Sequence, residues 1–243
     1  MNNNFSYKKE FNITTNMLNC YDYLKLSSIL DFMQCVASEH ADILGVGFDN
    51  FIKKSLIWVV IRNKVEILDS LKDLKNISIR TSLVKPRLFE CPRDYEIFSG
   101  DKLIIKGRSI WAIYDLNNKK IILPNDYDSL FSKDIGLYNR IKKIDLIDKN
   151  LLKFNSYRNV NFTMLDHNKH MNNTHYLDLF MDIYKPTKEI KISSFQVEYV
   201  SQCYLDDKIS IYTYEILNKK YLYGYCNDEL KFYIEVDVNE SNN

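Results

Sequence analysis

Apolar residues along this chain follow two rhythms, and the change from one to the other happens twice. Within LKLSSILDFMQCVASEHADILGVG, Leu26, Ile29, Leu30, Met33, Val36, Ala37 and Ile43 recur at steps of three and four. That spacing places them on one face of a long helix. Ser27 or Ser28 suits its N-cap, and Gly45 and Gly47 suit its end. Segments rich in Ile, Val, Tyr and Phe follow, and 55–67, 77–84, 91–98 and 102–116 read as strands. Ile77, Ile79, Thr81 and Leu83 alternate, as one face of a pleated sheet requires. Gly100-Asp101 reads as a tight hairpin turn.

The same order then returns. A helical pattern runs from about Asn173 to Tyr184 and stops before Pro186, and strand-like segments follow at 190–203, 207–216, 221–226 and 229–238. The string ILDFM at 29–33 is echoed by YLDLF at 176–180. Shared element order is the stronger sign of an internal duplication. Between the halves, 123–150 lacks alternation and carries mixed charge, so it reads as a connector with a short helix around Ser129–Leu137. A helix with one apolar face and a sheet with one apolar face bury each other. The expectation is an α+β fold, a tandem (double) hotdog in which each unit is a long helix packed on a curled antiparallel sheet. Joining the two sheets by their edges would also protect edge strands. The expected division is 1–122, a connector at 123–153, and 154–243.

Composition narrows the function more than the fold. With 33 basic and 32 acidic residues the formal charge is +1, which gives no global pull toward nucleic acid or a membrane surface. Five cysteines, at 20, 35, 91, 203 and 226, form no CxxC pair. They read as reduced thiols rather than as a disulfide framework or a structural zinc site. MNNNFSYKKEF has no apolar secretory core, and no run of about 18 apolar residues occurs. The expected location is cytoplasmic.

Three of the four histidines crowd into DHNKHMNNTHY, 166–176. If the segment is extended, Asp166, Asn168 and His170 project to one side, and His167 and Lys169 to the other. An imidazole beside a carboxylate can be oriented for proton transfer. Asn172 and Asn173 then sit where a helix begins, whose free N–H groups can stabilise an oxyanion. Two other readings stand beside this one. His167 and His170 with Asp166 and His175 could ligate a metal, although no local cysteine or glutamate completes the shell. A polar loop capping a helix needs the same residue types.

LDHNKHMNNTHYLDLFMD resembles the acyl-acyl carrier protein (acyl-ACP) thioesterases of plants and bacteria, which carry Asp-x-Asn-x-His-x-Asn-Asn before the helix of their second hotdog unit. MQCVASEHADILGVGF, IWVVIRNKVEI and RSIWAIYDLNNKKII resemble the family in the first half, so the likeness spans roughly 5 to 235. It implies hydrolysis of the thioester between a fatty acyl chain and the phosphopantetheine arm of acyl carrier protein, with no cofactor and no metal. Asp166, Asn168 and His170 match the family's catalytic positions. Asn168 would polarise the carbonyl or the water, His170 would move the proton, and Asp166 would orient or assist.

One family segment departs here. Where the family has a second glutamate followed by cysteine, this chain has Gln202-Cys203. Glutamine cannot accept a proton as a carboxylate does. Glu198 shares its strand face but lies about 13 Å away if the strand is extended. Cys203 is a secondary candidate beside its plain reading as a buried thiol. Met33 and Trp58 are candidate acyl-binding residues in the first unit, where the family places its pocket, although each fits plain core. His40 reads as structural. An acidic carrier protein implies a basic docking patch, for which Lys53-Lys54, Lys85-Arg87, Arg93 and Lys142-Lys143 are candidates. An acyl-CoA thioesterase and a non-catalytic acyl-binding hotdog protein remain as alternatives. The chain could act alone or as a homodimer.

Overall fold

The structure, a computed structural model, describes residues 5–187 and 190–240. The outermost parts of the expected first and last segments, 1–4 and 241–243, lie outside the described residues. The chain divides into two compact units, Met1–Ile141 and Lys142–Asn243. Both are built on antiparallel sheet with few helices.

In the first unit the strands are β1 (Ser6–Asn12), β2 (Leu56–Ile67), β3 (Asn76–Leu83), β4 (Cys91–Ser99), β5 (Lys102–Asp115) and β6 (Lys120–Ile122). They run in the order β1-β3-β4-β5-β2, with β6 paired to β5. The periodic segment forms α1, Leu26–Ile43, and its buried residues include Ile29, Leu30, Met33, Val36 and Ala37. Each fully buried aliphatic side chain of this kind stabilises the fold by about 1.5–3 kcal/mol. Opposite α1, Ile77, Ile79, Thr81 and Leu83 are the buried alternation of β3. Gly100 takes φ +58 in the β4–β5 hairpin, a conformation favourable to glycine.

Two local expectations do not hold. Lys25 is the N-cap of α1, and Ser27 and Ser28 lie buried inside its first turn, where the Ser28 hydroxyl donates to the Met17 carbonyl at 3.2 Å. The expected helix at Ser129–Leu137 is a 3-10 turn, Asn125–Leu130, followed by irregular chain. Side chains there take the backbone groups that a helix would pair internally. The Leu137 N–H donates to Asp94 at 2.6 Å, and Arg108 donates to the carbonyls of Ile135 and Tyr138, both at 2.7 Å. Gly136 at φ +70 breaks the helical path as well.

A short helix, α2 (Phe48–Ile52), completes the first unit, and the second unit contains β7 (Lys153–Asn159) and α3 (His175–Tyr184). Its other strands are β8 (Ile190–Tyr199), β9 (Lys208–Ile216), β10 (Lys219–Cys226) and β11 (Glu229–Glu240). Their order is β8-β11-β10-β9-β7. Tyr176, Leu177, Leu179 and Phe180 are the buried residues of α3, and Tyr176 meets Phe232 edge-on at 4.5 Å between ring centroids. The Phe232 ring crosses directly over Gly224, where a Cβ would come within 2.1 Å of it. The helix ends at Lys185, in the left-handed region (φ 43), just ahead of Pro186. Chain from 142 to 147 lies against this unit's own sheet: Gln196 donates to the Lys142 carbonyl at 2.8 Å, the Ile144 N–H donates to Glu198 at 3.2 Å, and the Ile147 N–H donates to the Tyr223 hydroxyl at 3.1 Å.

Candidate active site

Asp166, Asn168 and His170 all lie in the second unit, but not on an extended segment. Leu165 and Met171 bridge antiparallel, and the five residues between them form a tight loop. The Asp166 N–H donates to the His170 carbonyl at 2.8 Å, and the Lys169 N–H donates to the Asp166 carbonyl at 3.0 Å. Lys169 takes φ +64. Asp166 Oδ1 accepts the backbone N–H of Asn168 at 2.8 Å and that of His170 at 3.3 Å. An aspartate that captures the N–H two residues on makes an Asx turn, and this competes successfully with extended pairing. The alternation argument therefore fails, while a stronger constraint takes its place: one carboxylate holds the backbone of the other two residues.

The turn is docked on the chain that follows β8. His170 bridges Tyr204 antiparallel, and the Met171 N–H donates to the Cys203 carbonyl at 2.9 Å. The imidazole lies edge-on to the Tyr204 ring, with centroids 5.1 Å apart. Burial pushes the His170 pKa below its ordinary value, against the opposing pull of the Asp166 charge. Its imidazole is therefore neutral at neutral pH and can accept a proton.

Gln202 and Tyr204 are exposed and Cys203 between them is buried, so the first two share a face and the thiol points the other way. The Tyr204 hydroxyl donates to Gln202 Oε1 at 2.8 Å, and the Tyr204 N–H donates to Asp207 at 2.8 Å. Burial pushes the Cys203 thiol up to about 11, beside the hydroxyl of Tyr176 on α3. Such a thiol is protonated at neutral pH and a poor nucleophile. Glu198 is buried and accepts from both Ile144 and Gln196, the latter at 2.7 Å, so its carboxylate serves the fold.

The remaining residues fall into place locally. Asn172 Oδ1 accepts the Thr174 N–H at 3.2 Å, one turn before α3, whose N-cap is Thr174. His175 contacts Asp178 at 3.0 Å within α3 itself. Among the described residues no three His, Cys, Asp or Glu side chains gather as a metal site. Met33 is buried on α1, and Trp58 on β2 donates its indole N–H to the Val46 carbonyl at 2.9 Å while stacking on Phe51. His40 is buried with Nδ1 2.9 Å from Arg93. Arg93 is itself only 4 % exposed, so it is removed from the docking candidates. Lys53, Lys54, Lys85, Arg87, Lys142 and Lys143 are exposed. Tyr204, which touches both Gln202 and His170, is a candidate that the sequence analysis did not single out. Its signal was a two-residue step from Gln202, putting both side chains on one face.

The chain is a pair of antiparallel α+β units with a polar histidine loop ahead of the second unit's helix, and the comparisons with known proteins say which family has this plan. The family model of the acyl-ACP thioesterase N-terminal domain matches residues 4–127, and that of the C-terminal domain matches 149–241. The chain belongs to the acyl-ACP thioesterase family. It is accordingly a thioester hydrolase that releases free fatty acid from fatty acyl-ACP. Two acyl-ACP thioesterases are among the solved structures that share its fold. An acyl-ACP thioesterase from Bacteroides thetaiotaomicron VPI-5482 superposes with TM-score 0.85 at 18% identity, covering 96% of this chain and 98% of that one. The 12:0-ACP thioesterase from Umbellularia californica does so with TM-score 0.85 at 15% identity, covering 97% and 98%. No curated protein matches the sequence. No helix among the described residues is long and apolar enough to cross a membrane.

Proposed function

We propose that the turn 166–170 is the hydrolytic centre, with Asn168 and His170 as its working side chains and Asp166 as their holder. The observation that carries this reading is the double capture by Asp166 Oδ1, which fixes the backbone of both residues. Water attacks the thioester carbonyl carbon, and His170 takes a proton from that water. The Asn168 carboxamide donates to the carbonyl oxygen as it gains negative charge. The tetrahedral intermediate then expels the phosphopantetheine sulfur, which receives the proton from the imidazolium. Fatty acid and carrier thiol are the products. The Asp166 charge stabilises the imidazolium during the interval. Cys203 has no part in the sequence of steps.

In this reading the chain is a tandem hotdog, with 1–122 as the acyl-holding unit, 123–153 as connector and 154–243 as the unit that carries the turn. Met33 and Trp58 belong to the acyl-holding unit, and the carrier protein docks through exposed lysines. Assembly is as a single chain or as a homodimer.

Turnover of a panel of acyl-ACPs by the wild type and by an Asn168→Ala, His170→Ala double variant tests the reading. Loss of about a hundredfold or more is expected, since positioned proton transfer alone contributes about 10²–10⁴. Equal turnover by the two proteins overturns it. Matched acyl-CoA substrates run in parallel show how much of the rate depends on the carrier protein.

A further inference from the structure

Gln202 stands two residues before Tyr204, whose backbone bridges that of His170, and its surroundings fix its side chain. A carboxylate at this position could activate water as a base. A carboxamide cannot take a proton, so whatever it contributes must come from a fixed orientation. A free glutamine side chain on an exposed stretch rotates, and ordering it costs entropy. Gln202 is not free in this sense. The Tyr204 hydroxyl donates to its Oε1 at 2.8 Å, from two residues further on and on the same face. The Tyr204 ring in turn lies edge-on to the His170 imidazole at 5.1 Å, and its backbone bridges that of His170. Its N–H is anchored by Asp207 at 2.8 Å.

We propose that Tyr204 is a positioning residue for the reaction: it fixes the Gln202 carboxamide by its oxygen and ties it to His170. With one lone pair of the oxygen engaged and its orientation fixed, the –NH2 is held in place as a donor. That donor orients the oxygen of the attacking water, and His170 alone takes the proton. The inference rests on the reading of His170 as proton acceptor and adds to it a division of labour.

A double-variant cycle tests it. Kinetics on one acyl-ACP are measured for the wild type, Tyr204→Phe, Gln202→Ala and the pair. Tyr204→Phe keeps the ring against His170 and removes only the hydroxyl. Its kcat is expected to fall about fivefold, the scale of one net hydrogen bond, with KM within about twofold. In the Gln202→Ala background the same change is expected to have almost no effect, because the hydroxyl no longer has an amide to fix. Tyr204→Leu, which also removes the ring, is expected to fall further than Tyr204→Phe. An unchanged kcat in Tyr204→Phe overturns the proposal, and so does an equal loss in both backgrounds, which a merely structural tyrosine would give. If instead His170→Ala retains wild-type kcat, the underlying reading of the site fails, and that outcome is distinguishable from the first two.

Discussion

The imidazole of His170 and the phenol ring of Tyr204 meet edge to face, 5.1 Å between centroids, across an antiparallel bridge between their own backbones. Neither contact depends on sequence neighbours. It joins the histidine turn before α3 to the Gln202-Cys203-Tyr204 stretch after β8, so two separated polar segments lie side by side.

Asp166 has two functions that can be separated by substitution. Asn in its place keeps an oxygen for the Asn168 and His170 N–H groups but removes the charge. That charge favours the imidazolium. Asp166→Asn should therefore lower the His170 pKa further, and the acid limb of kcat/KM should move to lower pH. A pH-rate comparison checks this; a shift to higher pH, or none, contradicts the assigned interaction.

Cys203 should be dispensable. Its thiol is fully buried and pushed up to about 11. Cys203→Ala should keep kcat within about threefold, the loss being confined to stability through a small cavity. Thiol titration of the native protein at pH 8 should label the exposed Cys20 quickly, while Cys91, Cys203 and Cys226 react only after unfolding. Rapid native labelling of Cys203 would show that the chain around it opens.

Glu198 should matter for folding rather than for chemistry. Glu198→Ala strips the acceptor from the Ile144 N–H and from Gln196 inside the core. A loss of about 1–3 kcal/mol in urea denaturation is expected, with little change in the kcat of the folded fraction. A collapse of kcat at unchanged stability would return Glu198 to the list of proton acceptors.

The Asp94–Arg108 pair is buried on both sides, with side chains 4% and 3% exposed. Removing one partner leaves a charge without its counterion and also frees the backbone of 135–138. Asp94→Ala should destabilise the first unit by about 3–5 kcal/mol, read as a lower Tm. A Tm within a degree of wild type would show that the pair is not holding this segment.

Much of the fold was legible because burial writes a period into the chain. The steps of α1 and the alternation of β3 are the direct imprint of one-sided burial. Strands β1 and β7 escaped notice for the opposite reason. Each lies at the end of its unit's strand order, and SYKKEFN and KFNSYRN carry charged and polar residues suited to an edge. The candidate site residues stand out in the sequence as residue types, and their arrangement does not. DHNKH satisfies an alternating pattern as well as an Asx turn, and only the Asp166 hydrogen bonds decide between them. The two-residue step from Gln202 puts Tyr204 on the same face, but its contact with His170, more than thirty residues earlier in the chain, leaves no trace in the sequence.

The central claim is that a neutral, half-buried His170 takes the proton from water. The pH dependence of kcat/KM on a single acyl-ACP, measured for the wild type and for His170→Ala, tests it most directly. The account predicts that wild-type activity falls on acidification with a midpoint below the ordinary histidine value of 6.5, and that the residual activity of His170→Ala lacks this limb. A midpoint above 6.5, or an acid limb that survives in His170→Ala, would contradict it.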